Sequence, residues 1–100
     1  MVQKAVTASL TDDGFTDWIS SSYKNQDSYL NVSLSGSWTG TITLQRKFVD
    51  GNAPTDPVDI ESFTANDEGR IFDFEPCVQY RIGFKTSGHS TGTAVVRISR

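Results

Sequence analysis

Val78-Gln79-Tyr80-Arg81-Ile82-Gly83-Phe84-Lys85 is the stretch that decides the fold. Apolar Val78, Tyr80, Ile82 and Phe84 alternate with Gln79, Arg81, Gly83 and Lys85. Successive side chains of a strand point to opposite faces, so a period of two means one buried face and one polar face. The same period continues on either side. Ala94, Val96 and Ile98 share a face in a last strand over residues 93–99. Between the two, Ser87-Gly88-His89-Ser90-Thr91-Gly92 reads as a flexible polar turn.

Upstream, Leu30, Val32 and Leu34 alternate with polar neighbours over residues 29–35, and Gly36 is expected to break that strand. Trp38, Ile42, Leu44 and Phe48 share one face of a strand over 38–49. Thr39, Thr41, Thr43, Gln45 and Lys47 take the other face and are expected to be wet. Arg46 falls on the apolar parity, which places it near the strand end or at a bulge. A further strand over 58–64 shifts parity between Ile60 and Phe63, the mark of a bulge or an edge position. Asn66-Asp67-Glu68-Gly69 reads as a tight hairpin turn, with Gly69 free to take positive φ. A strand over 70–75 follows, carrying Phe72 and Phe74, and Pro76 ends it.

Near the N-terminus a strand over 2–10 leads to a turn at Asp12-Asp13-Gly14, a short apolar cluster of Phe15, Trp18 and Ile19, and a polar connection. Residues 50–57 form the longest loop, where Pro54 and Pro57 forbid a ladder. No segment carries a helical period. The expectation is an all-β chain, a single antiparallel β-sandwich of about seven strands spanning residues 1–100. An immunoglobulin-like arrangement fits seven strands in this length, with a jelly roll as the alternative. Tyr80, just after Glu75-Pro76-Cys77, stands where a tyrosine corner would. A plain core aromatic is the other reading.

The 100 residues suit one domain with a thin core. No apolar run approaches the roughly 20 residues of a membrane helix, and no signal-peptide pattern opens the chain, so folding in a cytoplasm and no membrane partner are expected. Net charge is -3, which argues against nucleic acid as a partner. Cys77 is the single cysteine, so no intrachain disulfide forms. The Asn31-Val32-Ser33 sequon is read as chance without a secretion signal.

Catalytic chemistry finds few residues to work with. A nucleophile needs a base within reach, and His89, the only histidine, lies in the Gly/Ser/Thr segment. Cys77 sits at the opposite end of the 78–85 strand and reads as a packing residue. One His and one Cys make no transition-metal cluster. The acidic pairs Asp12-Asp13 and Asp67-Glu68 lack the ligand spacing of a calcium loop. The expectation is no enzyme, no metal and no cofactor.

Two surface features are candidates for binding. Arg81 and Lys85 project from one face of their strand and Arg97 from the last, which would make a cationic patch if the strands are neighbours. Ordinary solvated strand faces look the same, and Asp59, Glu61 and Asp73 are available to neutralise the patch. Trp18, Tyr23 and Tyr29 lie outside the clear core pattern and are the candidates for stacking on a glycan. Thr39, Thr41 and Thr43 form a row suited to strand addition by a partner, or merely reflect β-propensity.

Several stretches carry a resemblance: Gly40-Thr41-Ile42-Thr43-Leu44-Gln45-Arg46-Lys47-Phe48 with Asp50-Gly51, residues 60–66, residues 80–86 and residues 90–97. Together they resemble short virion-associated β-sandwich proteins of tailed phages, of the capsid-decoration or head-fibre type. The resemblance covers about two-thirds of the chain, from Ser35 onward, and departs from the pattern at the Pro-containing loop 52–57. It implies a structural virion protein made in the host cytoplasm, bound to capsid or tail proteins and open to self-association, with no catalytic residues to transfer. A carbohydrate- or receptor-binding module of a phage tail is the alternative. Exposed strand edges need protection; Pro54, Pro57 and Pro76 supply some and a partner the rest.

Overall fold

A computed structural model describes residues 5–20, 29–48, 57–72 and 78–99. Seven strands account for most of them: β1 Ala5–Leu10, β2 Gly14–Phe15, β3 Ile19–Ser20, β4 Tyr29–Phe48, β5 Val58–Phe63, β6 Asp67–Phe72 and β7 Val78–Ser99. Every pairing is antiparallel. The protein is all-β, as its period of two requires.

Its frame is one long antiparallel strand pair. β4 and β7 pair along nearly their whole length, from Asn31 opposite Ser99 to Phe48 opposite Val78. A straight strand of 22 residues would run roughly 70 Å at about 3.3 Å per residue. The longest dimension of the molecule is 38 Å, so both strands must fold over. They do so where the ladder loses register, between Thr39 and Ile42 on β4. There β7 takes seven steps from Thr91 to Phe84 against three on β4.

This crease corrects three expectations. Gly36 does not end a strand, and residues 87–92 are not a reversal of the chain. They are a wide bulge inside β7, which keeps its partner because β4 continues opposite. The strands expected at 29–35 and 38–49 are therefore one, as are those at 78–85 and 93–99. Ser87 (φ 68°) and Gly92 (φ 86°) hold the left-handed conformations the bend needs.

The crease divides the sheet into two layers. The N-terminal half of β4 and the C-terminal half of β7 lie between β6 and β1. The other halves lie between β5 on one side and β2 and β3 on the other. Leu30, Val32, Leu34, Ala94, Val96 and Ile98 from the first layer join Ile42, Leu44, Val78, Tyr80, Ile82 and Phe84 from the second in one core, which Ile19 completes. Each layer covers the other's apolar face. Full burial of a side chain such as Phe84 or Ile82 contributes about 1.5–3 kcal/mol. The two sheets of an immunoglobulin sandwich are separate ladders, whereas here β4 and β7 carry one ladder through both layers.

β5 and β6 also depart from expectation. They do not pair with each other, so no hairpin joins them. The turn is at residues 64–66, and Asp67, Glu68 and Gly69 already belong to β6. The chain crosses here from one layer to the other. Asn66 secures the crossing: its side-chain amide donates to Gly36 O at 3.0 Å and accepts from Trp38 Nε1 at 2.7 Å. The parity shift in β5 is a bulge, since Leu44 faces Glu61 while Gln45 faces Asp59. β5 is an edge strand, headed by exposed Pro57. Tyr23, Asp73, Phe74, Cys77, Pro54 and Pro76 lie outside the described residues.

Candidate functional site

The face of Gln45 was expected to be wet, and it is so only in part. Thr39 and Thr41 are exposed, but Thr43 and Gln45 are 4% and 6% exposed. Gln45 lies between the Arg81 and Asp59 side chains, and residues 14–18 run beside Arg81, with Gly14 and Phe15 antiparallel to β7. Thr16 N donates to Ile82 O at 2.9 Å, and Ile82 N donates to Thr16 Oγ1 at 3.2 Å. The Gly14–Phe15 backbone approaches Gly83 so closely that a Cβ there would meet Gly14 O at 2.1 Å. Only glycine admits this approach, which brings Phe15 and Trp18 beside Arg81.

Arg81 is the centre of the resulting cluster. Its guanidinium carbon is 3.9 Å from the Phe15 ring centroid and 4.6 Å from that of Trp18. Its Nε donates to Gln45 Oε1 at 2.9 Å. Gln45 is held in turn, because its Nε2 donates to Asp59 Oδ1 at 2.9 Å. Lys85 Nζ donates to Asp59 Oδ2 at 2.7 Å, closing a chain of four side chains across three strands. Lys47 Nζ lies 4.4 Å from the Trp18 ring centroid. Cations over indole and phenyl faces are attracted by the ring quadrupole, so the rings orient both cations, and neither pairs with a carboxylate among the described residues.

The electrostatics follow the geometry. The bond from Lys85, then that from Gln45, holds the Asp59 carboxyl below its ordinary value. Burial lowers the Arg81 pKa, yet a guanidinium is basic enough to stay charged at neutral pH.

Of the residues singled out from the sequence, the structure brings Arg81, Lys85 and Trp18 together on one face. It does not bring Arg97 to them. Arg97 projects from the other half of β7, in the other layer, where it faces Thr7 and Ser33 in register and donates to Ser99 Oγ at 3.2 Å. The crease is the reason: the strands expected to neighbour each other are two halves of one strand. Arg97 lines instead a shallow depression of about 370 Å³ with Asn31, Ser33, Glu68 and Arg70. Tyr23 lies outside the described residues, and so does the side chain of Tyr29, whose backbone pairs with Phe72. Asp59 neutralises Lys85 as one reading of the patch allowed, but Arg81 and Lys47 form no ion pair among the described residues.

The sequence reading missed Phe15, Gln45 and Lys47. The position of Gly83 on the polar face of an alternating strand was the available signal, since a missing side chain there leaves room for another segment to cross.

His89 is better held than a flexible turn would allow. Its Nε2 lies 2.8 Å from Gly92 O, and its ring meets Phe84 edge-on with centroids 4.9 Å apart. Asp13 braces the same bulge, accepting from Ser87 N at 2.8 Å and His89 N at 3.0 Å. Those backbone bonds, the one from His89 foremost, hold the Asp13 carboxyl below its ordinary value.

The chain matches no family model, no curated protein and no solved structure. Among the described residues no three His, Cys, Asp or Glu side chains gather as metal ligands, and no helix is long and apolar enough to cross a membrane.

Proposed function

We propose that this chain is a structural protein of a phage particle, a capsid decoration or other head-tail accessory protein that acts by binding other proteins. The observation that carries the binding role is the Arg81 cluster. Arginine and tryptophan are the residue types that dominate protein interfaces energetically. Here they are half-buried and held in place before any partner arrives, which lowers the entropy lost on association. The virion assignment rests on the resemblance of residues 35–97 to short phage sandwich proteins. The protein would be made in the host cytoplasm and end in the virion, where many modest interfaces sum through avidity.

The alternative, a glycan- or receptor-binding module of a phage tail, needs an open aromatic face. Trp18 has Lys47 and Arg81 over its ring, which favours the protein-binding reading.

Sedimentation with particles that lack the protein tests the proposal. Saturable recovery at a fixed ratio to a shell or tail subunit is the expected result. Protein that stays wholly in the supernatant, with both heads and tails, refutes it.

A further inference from the structure

We infer that Arg81, flanked by Phe15 and Trp18 and joined by Lys47, is a docking site for a carboxylate, an Asp or Glu side chain in an acidic segment of a protein partner. The inference rests on the protein-binding reading and names the partner chemistry of that site.

Charge carries the argument. The chain as a whole is acidic, with a net charge of -3. This face carries Arg81, Lys47 and Lys85 against Asp59, and Asp59 is already engaged by Lys85 and Gln45. Asp17, next to Trp18 in the chain, is exposed and pairs with neither free cation among the described residues. Among the described residues, two cations therefore converge on Trp18 and neither pairs with a carboxylate.

Geometry narrows the ligand. A half-buried cation has lost part of its hydration, and rings and an amide oxygen return only some of it. A carboxylate would return more. Gln45 occupies Nε of Arg81, and no hydrogen bond from either terminal nitrogen is made among the described residues. Those two nitrogens present the planar fork that matches a carboxylate bidentately. The chain Lys85–Asp59–Gln45 keeps the fork from rotating, so the site is formed before the ligand binds. Arg81 and Lys47 supply the charge, and Phe15 and Trp18 supply the ring faces that hold it.

The test is an NMR titration of the full chain with an oligoglutamate peptide. The Trp18 indole N–H and the Arg81 Nε–H should shift saturably, while the Trp38 indole stays in place. R81Q should weaken binding about tenfold or more, the loss expected when charge-assisted hydrogen bonds are removed. R81K, which keeps the charge and loses the fork, should recover only part of it. K47Q should weaken binding by less than R81Q, and R97Q should leave it unchanged. If R81Q fails to fold, K47Q against R97Q makes the same comparison.

Loss in R97Q equal to that in R81Q or K47Q, or no shift at Trp18, overturns the site. Tighter binding of tripolyphosphate or a heparin fragment at the same resonances overturns the carboxylate and assigns a phosphate or sulfate instead. Sedimentation separates this inference from the virion role. Recovery of wild type and R81Q alike on particles refutes the site and leaves the role standing. Oligoglutamate binding by a protein that ignores particles refutes the role and leaves the site standing.

Discussion

Gly92→Ala is the substitution that tests the crease most directly. Gly92 holds φ 86°, and a Cβ there would meet Ser37 O at 2.1 Å and Trp38 Cα at 2.8 Å. A left-handed conformation costs a residue with a Cβ about 1–2 kcal/mol. Relieving the contact requires the β4 backbone to move, which by analogy with overpacked cores costs about 1–3 kcal/mol more. The total is about 2–5 kcal/mol, a large share of the roughly 5–15 kcal/mol that stabilises a domain. Gly69→Ala is the control. Gly69 also lies in a strand, at ordinary φ and with open space around its would-be Cβ. Removing a strand-interior glycine there should be neutral or stabilise by up to about 1 kcal/mol. Urea unfolding followed by the fluorescence of Trp18 and Trp38 measures both, and the slope with denaturant should be unchanged. A flexible turn at 87–92 would tolerate Gly92→Ala within about 0.5 kcal/mol. That result, or one equal to Gly69→Ala, would refute the crease.

Phe84→Ala should cost about 3–5 kcal/mol in the same assay, because Phe84 is fully buried and leaves a cavity between Trp38 and His89; a loss below about 1 kcal/mol would contradict the core assignment. Asp13 and Asp59 both hold depressed pKa values. Each titrates lower in the folded protein than in the unfolded chain, so their contribution is present above about pH 4 and lost as pH falls through the folded values. Asp13→Asn removes one of the two, so its stability should fall less steeply below pH 4 than that of wild type; thermal melts across that range decide, and identical slopes would count against the brace on Ser87 and His89.

Much of the core was legible from alternation alone. Leu30, Val32, Leu34, Ile42, Leu44, Val78, Tyr80, Ile82, Phe84, Ala94, Val96 and Ile98 were each placed on the apolar face, and each is buried. Arg46 was legible too: it keeps the apolar parity near the strand end and is half-buried opposite Tyr80. Arg81 and Lys85 were placed together on the polar face, and so they stand. The misreadings of strand number arise at one place. Ser87 to Gly92 has the composition of a turn because its backbone does bend, and glycine and serine serve a wide bulge for the same conformational reason that they serve a reversal. Local composition cannot distinguish the two, since the difference lies in whether a partner strand continues opposite.

The candidate site divides the same way. Periodicity put Arg81 on an outer face, but nothing local links it to Phe15 and Trp18, which are far away in the chain. Their meeting depends on Gly83 admitting the 14–18 backbone across the sheet. The sequence by itself therefore determined the strand class, the buried face and the polarity of each exposed residue, because a period of two is a property of neighbouring residues. The tertiary structure alone decided that four expected strands are two, that Arg97 belongs to the opposite layer, and that Arg81 and Lys47 share the Trp18 indole. Those outcomes depend on where the long β4–β7 pair folds over and which distant segment lies beside it, and both are set by packing between residues that local pattern never compares.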